Sequence, residues 1–320
     1  MKKKTVIGLA AAAAAAAAAY GINRQSEHSD YNRYRDVFGK FVEVKGHQLS
    51  YEDGGEGETI VALCGLGETS PIMSWRPLAA CLRENYRVII LEPFGYGYSD
   101  DIDEKRNLEN ITEELHLALE ALQVKEYVLM AHSFGGVYAL KLMQDYPEEV
   151  KAYIGIDTIV PQVAQYLDAT VLNQGMHYLN KGMGNLGILK VMTLLDESKY
   201  VPLTEDYHFS DTEKDICRAV ALYRQHSAAI ANELSEANAS LKKVLTFAVP
   251  DSIPAYFYTA TESDELLEKY GALEATWTHY HKILTNHPLS KVQRMVSSHY
   301  IHHENVNSMQ KEIKAWLKSL

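Results

Sequence analysis

The sequence predicts an α/β protein with a mostly parallel central sheet flanked by helices. Short apolar strands at residues 59–63, 87–91, 127–131 and 153–156 are separated by helical stretches. Alternation of this kind predicts parallel strands with helices packed on both faces. In such sheets, ligands bind at the carboxyl ends of the strands. We therefore expect the functional residues in the loops that follow the strands.

The N-terminal segment carries three lysines, Lys2 to Lys4, before an apolar stretch that ends in an unbroken alanine run at residues 10–19. A positively charged start before an apolar stretch is typical of a signal peptide or a signal anchor. We predict such a segment at residues 1–24, with membrane contact through it. The protein is then expected to be extracytoplasmic, secreted or anchored to the cell membrane. The polar residues 21–39 are expected to form a tether.

The composition is typical of a globular enzyme. The chain has 320 residues, of which 47% are hydrophobic and 23% charged, so it can bury a sizeable core. Its formal net charge of −11 argues against a nucleic-acid partner, because phosphates repel an acidic protein that has no basic cluster. The three cysteines are too few, and odd in number, for a disulfide framework.

The most informative motif surrounds Ser133, in the run Ala131-His132-Ser133-Phe134-Gly135 between an apolar strand and an apolar helix. A nucleophile elbow needs this layout, because a sharp strand-to-helix turn lifts the serine hydroxyl clear of the sheet. The turn also directs the N–H of Phe134 toward an oxyanion formed at the serine. The alternative is an ordinary turn whose serine caps the helix.

A serine nucleophile needs a base, and the base needs an acid that orients it. In this arrangement the acid and then the histidine follow the serine along the chain. His299 lies between the last predicted strand and the final amphipathic helix, from where it can reach the elbow. Asp264, after the preceding strand, is the preferred acid. Glu262 is a competitor beside it, and Asp157, at the end of an earlier strand, is a more distant one.

Four segments of the chain resemble motifs of one known family. Residues 63–67 resemble an oxyanion loop, residues 92–100 an Asp-x-x-Gly-x-Gly-x-Ser segment, residues 131–136 the elbow, and residues 298–304 the surroundings of a catalytic histidine. On these motifs the chain is identified as a member of the α/β-hydrolase superfamily, in the branch with a helical cap. The resemblance covers about residues 40 to 320 and implies the α/β-hydrolase fold.

The resemblance also implies roles for individual residues. It implies a serine hydrolase with Ser133, Asp264 and His299 as the catalytic triad. The N–H groups of Leu66 and Phe134 would form the oxyanion hole. Cys64 stands where the family usually has a histidine, so a hydrogen bond that steadies the oxyanion loop is expected to be missing.

The regular alternation of strands and helices stops between about residues 161 and 250, where the apolar periodicity is helical. An insertion of this length is too long for a simple crossover. We therefore predict a helical cap at residues 161–250. The α/β-hydrolase core is predicted at residues 25–160 and 251–320.

The predicted activity is hydrolysis of carboxylic esters through an acyl-enzyme on Ser133, with a small ester or amide as substrate. One alternative is an aminopeptidase of the prolyl iminopeptidase type, in which Glu233 and Glu236 of the cap would hold the substrate's free amine. A second alternative is a non-catalytic binding protein that uses the same fold. A comparison of simple esters with proline amides as substrates would distinguish the esterase from the aminopeptidase.

The sequence predicts no cofactor and no metal site. It has no phosphate-binding loop, and residues 95–97 are too short for a dinucleotide loop. His279, His281 and His287 are interpreted as surface histidines, because no carboxylate or cysteine is spaced to close a metal site. His302 and His303 are expected at the rim of the site or at the start of the final helix.

Overall fold

The computed structural model describes residues 3–167, 179–185, 187–269 and 276–320. Within these residues, eight strands form one sheet in the order β1-β2-β4-β3-β5-β6-β7-β8. The strands are β1 (Lys40–Val44), β2 (His47–Gly54), β3 (Thr59–Leu63), β4 (Arg87–Glu92), β5 (Tyr127–His132), β6 (Val150–Ile156), β7 (Ala255–Ala260) and β8 (Lys291–Met295). Strand β2 pairs antiparallel with both β1 and β4. The remaining neighbours in the sheet, from β4 through β3, β5, β6 and β7 to β8, pair in parallel. The predicted fold class is confirmed.

Helices alternate with the strands along the chain. They are α1 (Lys3–Phe38), α2 (Pro71–Leu82), α3 (Leu108–Ala121), α4 (Gly135–Asp145), α5 (Pro161–Ala164), α6 (Ile188–Leu195), α7 (Asp211–Arg224), α8 (Ala228–Val244), α9 (Thr261–Lys269), α10 (Trp277–Ile283), α11 (Ile301–Glu304) and α12 (Val306–Leu317). Residues 179–185 are also helical. Local sequence starts several of these helices. For example, a capping box between Ser210 and Glu213 begins α7.

The sheet separates two apolar layers. Successive residues of a strand point to opposite faces, so Leu129 of β5 packs into one layer and Val128 and Met130 into the other. The first layer contains residues of α3, α4 and α8, and the second contains residues of α2 and α12. Because both faces are covered, β5 is buried along its whole length. It is therefore a rigid support for the turn that follows it.

Between β6 and β7 the described residues form helices and loops and no strand. Leu241 and Val244 of α8 are buried in the apolar layer that contains α3 and α4. The assignment of residues 161–250 as a cap, with residues 25–160 and 251–320 as the core, stays a prediction. Residues 168–178 and 186 of this predicted cap lie outside the described residues.

The N-terminal segment differs from its prediction. In the described part of the chain, no helix combines the length and the apolar character that a membrane crossing needs. This finding contradicts the predicted membrane anchor and membrane contact, and the extracytoplasmic location inferred from them is withdrawn. The physical reason is that alanine favours the helix but is only weakly hydrophobic.

The predicted tether at residues 21–39 is helical instead, because α1 continues without a break to Phe38. The last part of α1 packs on the protein, where Glu27 and Tyr31 are buried. Tyr31 stacks on Tyr223 of α7 with ring centroids 4.0 Å apart, and its hydroxyl donates to the carbonyl of Gly97 at 2.9 Å. These contacts fix α1 against the loop that follows β4.

Candidate active site

Ser133 occupies the turn between β5 and α4 with a positive φ of 54°. A non-glycine residue in this region is strained and needs support from its surroundings. The Ser133 N–H donates to the carbonyl of Ile156 at 3.1 Å, and its own carbonyl accepts from Ile159 N–H at 3.0 Å. At Gly135 a side chain would place its Cβ 2.6 Å from the Cys64 carbonyl oxygen, so only glycine allows this approach.

His299 reaches Ser133 from the loop between β8 and α11. Its Nε2 lies 2.8 Å from the serine Oγ, which is hydrogen-bond distance for proton transfer. The structure therefore brings together the predicted nucleophile and the predicted base, although 166 residues separate them in the chain. Their catalytic roles stay predictions.

The carboxylate that contacts His299 is Asp157, directly after β6. Its Oδ2 lies 2.6 Å from His299 Nδ1, and the residue is fully buried. Oδ1 accepts from the N–H of Ala260 at 2.9 Å, and Oδ2 also accepts from the hydroxyl of Ser263. Asp157 has the position and the hydrogen bonds of an orienting acid.

Asp264, the predicted orienting acid, does not contact His299 in the structure. Its carboxylate accepts from Thr278 N–H at 2.9 Å and from Arg294 Nε at 2.6 Å. The reason is that α9 begins directly after β7, so Asp264 lies within a helix and faces α10 and β8. Glu262, the local competitor, accepts from the backbone N–H of His299 at 2.8 Å. It therefore holds the histidine loop but not the imidazole.

The sequence contained one signal for Asp157, which is the first residue after an apolar strand. In the structure this strand pairs directly with β5, so the side chain of Asp157 emerges beside Ser133. Asp264 follows β7, which is one strand further away. The strand order, which decides between them, is a tertiary property.

The contact between Asp157 and His299 changes the pKa values of both groups. Burial by itself lowers the pKa of His299, but the hydrogen bond and charge of Asp157 outweigh it and raise the pKa above the usual 6.5. Burial by itself raises the pKa of Asp157, but its hydrogen bond and attraction to His299 bring the pKa below the usual 3.8. The pair therefore favours an ionised aspartate that stabilises an imidazolium.

The predicted oxyanion donors lie beside the serine. A Cβ added at Gly65 would lie 3.1 Å from Ser133 Cβ, so the backbone of the loop after β3 passes directly over the elbow. In this loop Gly65 N–H donates to Glu68 and Gly67 N–H donates to Tyr96. Within the described chain, the N–H groups of Leu66 and Phe134 donate to no other residue. Both are available to a ligand, and their role as an oxyanion hole stays a prediction.

Known proteins resemble this chain in sequence and in fold. A family model described as alpha/beta hydrolase fold matches residues 58–183. The uncharacterized protein YbdG of Bacillus subtilis (strain 168) is 26% identical over 236 residues, which cover 72% of this chain and 71% of that protein. The solved structure of epoxide hydrolase VrEH1 from Vigna radiata superposes with a TM-score of 0.64 at 17% identity, over 88% of this chain and 98% of that chain.

The chain has the α/β-hydrolase fold, and its residues 58–183 match the model of that family. The predicted family is thereby confirmed, together with the coarser prediction of a hydrolase-family protein. A shorter match is found to the cis-3-alkyl-4-alkyloxetan-2-one decarboxylase of Shewanella oneidensis, which is 30% identical over 122 residues, or 37% of this chain and 38% of that protein.

Two residues that the sequence interpretation missed, Glu68 and His132, connect the loop after β3 to His299. Glu68 Oε2 accepts from Gly65 N–H at 3.0 Å and lies 3.6 Å from His132 Nδ1. His132 Nε2 lies 3.1 Å from the carbonyl oxygen of His299. Glu68 therefore steadies the loop in which Cys64 replaces the usual histidine. Hydrogen bonds and attraction from His132 lower the pKa of Glu68, although burial opposes them.

Three histidines beyond His299 are more buried than their sequence context suggests. His281, expected at the surface, is fully buried, and Trp277 and Thr158 contact its ring nitrogens, whereas His279 is exposed as expected. His302 and His303, expected at the rim of the site or at the start of the final helix, lie in α11 directly before that helix and are buried. Within the described residues, Glu68, His302 and His303 bring together three side chains of the types that bind metal ions.

Two cavities flank the oxyanion loop and share Gly67 and Thr69 in their walls. One, of about 560 Å³, is lined mainly by apolar residues of the loop and of the segment between β6 and β7, including Leu66, Met183 and Ile230, together with Arg224. The other, of about 380 Å³, has a mixed wall in which Glu68 and His303 lie beside apolar residues such as Val201 and Leu203. Both volumes are in the usual range for small-molecule sites.

Proposed function

We propose that this protein is a serine hydrolase that cleaves carboxylic esters through an acyl-enzyme on Ser133. The observation that carries the proposal is the hydrogen-bonded series Ser133 Oγ, His299 Nε2, His299 Nδ1 and Asp157 Oδ2, with contacts of 2.8 and 2.6 Å. In this proposal Asp157 replaces Asp264 as the orienting acid. A nucleophile, a base and an orienting acid in this order are the arrangement required for acyl transfer.

The proposed reaction has two steps. In the first, Ser133 Oγ attacks the ester carbonyl carbon while His299 Nε2 takes the hydroxyl proton. The tetrahedral intermediate then collapses, the carbon–oxygen bond to the alcohol breaks, and His299 gives its proton to the departing alkoxide. In the second step, His299 takes a proton from water, which attacks the acyl-enzyme. Collapse releases the carboxylic acid and returns the proton to Ser133.

The oxyanion of each intermediate would be stabilised by the N–H groups of Leu66 and Phe134. Their freedom from acceptors within the described residues supports this role. Each such donor contributes about 3–4 kcal/mol to transition-state stabilisation in other enzymes. Asp157 would fix the tautomer of His299 that presents a bare Nε2 to the serine.

The cavities support an ester with an apolar acyl group of small to medium size. The cavity of about 560 Å³ borders Leu66, whose N–H is one of the proposed oxyanion donors. Its wall also includes Leu234 and Met192, and the guanidinium of Arg224 in the same wall donates to the Gly97 carbonyl and the Tyr31 hydroxyl. The cavity on the other side of Gly67 has polar groups, such as the Ser298 hydroxyl, that suit the alcohol group and the attacking water.

The contacts of two cap glutamates do not favour the aminopeptidase alternative. Glu233 is buried, accepts a hydrogen bond from Tyr138, and has a pKa raised by its burial. Glu236 lies 3.3 Å from the ammonium group of Lys105. Glu233 is enclosed by the protein and Glu236 is already paired with Lys105, so neither presents an accessible, unpaired carboxylate to a substrate amine.

Hydrolysis of p-nitrophenyl esters from acetate to palmitate by the full chain tests the proposal. Wild-type protein is expected to show a maximum at short or medium acyl chains, and Ser133→Ala is expected to be inactive. A fluorophosphonate should label wild-type protein at Ser133 and leave the variant unlabelled. If wild type hydrolyses neither these esters nor proline amides and resists the reagent, the non-catalytic alternative replaces this proposal.

A further inference from the structure

Three side chains with metal-binding chemistry surround Ser74 beneath the oxyanion loop. One candidate ligand atom from each of Glu68, His302 and His303 lies within 4.8 Å of the others. Ser74 Oγ lies 3.2 Å from His302 Nε2 and 2.8 Å from His303 Nε2. The carboxylate comes from the oxyanion loop, the hydroxyl from α2 and the imidazoles from α11. Three separate elements thus hold the cluster in place.

Two buried polar atoms of this cluster lack hydrogen-bond partners in the described part of the protein. They are Glu68 Oε1 and His302 Nδ1. His302 is 0% exposed, so water does not reach its ring. An unsatisfied buried polar atom costs about 1–3 kcal/mol, and more when it is charged. A cation beside Glu68 Oε1 would satisfy this oxygen.

A route into the cluster exists on one side. Glu68, Ser74 and His303 form part of the wall of the cavity of about 380 Å³. On the other side, Trp75 covers His302 with ring centroids 4.6 Å apart. An ion could therefore enter from the cavity and would be enclosed behind the imidazoles.

We propose that Glu68, His302 and His303 form a binding site for a divalent transition metal ion, with Zn²⁺ as the best match. Two imidazoles and one carboxylate are a known zinc ligand set, and the fourth position would be taken by water or the Ser74 hydroxyl. Zinc bonds of about 2.0–2.1 Å keep ligand atoms roughly 3.3 Å apart in a tetrahedron. Side-chain shifts of up to about 1.5 Å would close the present cluster around the ion.

This site goes beyond the proposed ester hydrolysis and does not depend on it. The sequence interpretation predicted no metal site and did not include Glu68, which is more than two hundred residues from the two histidines. Zinc binding is therefore measured without substrate, and Ser133→Ala is expected to bind zinc as wild type does. Failure of the hydrolase proposal would leave this expectation unchanged.

The test uses full-length protein stripped of metal with EDTA and then dialysed. Equilibrium dialysis with Zn²⁺ alone, read by elemental analysis, is expected to give one tightly bound ion per chain. Co²⁺ in place of Zn²⁺ is expected to give the intense visible absorption of a four-coordinate site. Wild-type protein that binds no zinc, or that gives only the weak spectrum of hexahydrated Co²⁺, would overturn the proposal.

Substitutions of the proposed ligands test where the ion binds. Glu68→Gln and His303→Gln are expected to raise the Kd for Zn²⁺ by at least about tenfold, because each removes a ligand. The matched control is His279→Gln, which removes an exposed histidine outside the cluster and should bind as wild type does. Circular dichroism checks that each variant folds. If His303→Gln does not fold, the zinc affinity of Glu68→Gln alone tests the proposal, because glutamine keeps the shape of the glutamate side chain. Equal zinc affinity in Glu68→Gln and in the control would also overturn the proposal.

Discussion

Asp157 Oδ2 lies 2.6 Å from His299 Nδ1, although the two residues are 142 positions apart in the chain. The aspartate follows β6 and the histidine follows β8, so the contact spans the carboxyl edge of the sheet past β7. A further hydrogen bond of 2.8 Å joins His299 to Ser133, after β5. One edge of a parallel sheet thus brings together three loops with complementary chemistry.

The first prediction separates the two candidate acids. Asp157→Asn is expected to lower kcat by about 10⁴-fold, because the amide favours the wrong imidazole tautomer and gives the imidazolium no charge partner. Asp264→Asn is the matched control and should keep kcat near the wild-type value. It should lower the free energy of unfolding by about 1–3 kcal/mol, because buried hydrogen bonds to Thr278 and Arg294 are weakened. Steady-state kinetics that show the larger loss in Asp264→Asn would restore the original assignment.

The second prediction concerns pH. His299 acts as a base only when neutral, and Asp157 raises its pKa above 6.5. The value of kcat/KM is therefore expected to rise with pH, with a midpoint above 6.5 in the wild type. In Asp157→Asn the midpoint of the residual activity should lie at lower pH, because the carboxylate that raises the pKa of His299 is gone. Rates with p-nitrophenyl acetate, read at the isosbestic wavelength of p-nitrophenol, measure both profiles. Identical midpoints would exclude the proposed coupling.

The third prediction tests the close approach of the oxyanion loop to the elbow. In Gly65→Ala the new methyl group would lie 3.1 Å from Ser133 Cβ and 3.4 Å from His132 Nδ1, so the loop must shift. A displacement of this kind is expected to lower kcat by about tenfold to a hundredfold, because the donors no longer meet the oxyanion. The control is Gly182→Ala, where a methyl group meets nothing within 4 Å. If Gly65→Ala keeps wild-type kcat, the loop is not held where the hydrolase proposal needs it.

The fourth prediction tests whether α1 is part of the folded protein. Tyr31→Ala is expected to lower the free energy of unfolding by about 3–5 kcal/mol, because a buried aromatic ring and the hydrogen bond to Gly97 are lost. Tyr20→Ala, in the same helix but 45% exposed, should change it by less than about 0.5 kcal/mol. Urea denaturation measures both values. Equal effects would mean that α1 does not pack on the core in solution.

Much of the fold could be predicted from local patterns. Short apolar runs separated by amphipathic segments predict parallel strands with helices on both faces, and the sheet has that form. The end of α1 could not be predicted in this way. Residues 21–39 are polar and read as a tether, but helix propagation from the alanine run and the burial of Tyr31 extend the helix through them. Burial of one aromatic ring against distant residues is invisible to a local pattern.

The burial of three histidines also could not be predicted from local patterns. The sequence predicts His281 at the surface, and His302 and His303 at the rim of the site or at the start of the final helix, yet all three are buried. Their polar nitrogens are accommodated by distant groups, such as Ser74 and Thr158. Because these partners come from other elements, the sequence around each histidine contains no sign of its burial.

The sequence by itself determined the elbow at Ser133 and the position of His299 after the last strand. The strand, turn and helix of the elbow are contiguous in the chain, so their residues report directly on local geometry. Only the tertiary structure decided that Asp157 and not Asp264 contacts His299, and that Glu68 lies beside His132. These contacts depend on strand order and on where a helix begins after β7. Both are set by packing between segments that are far apart in the chain.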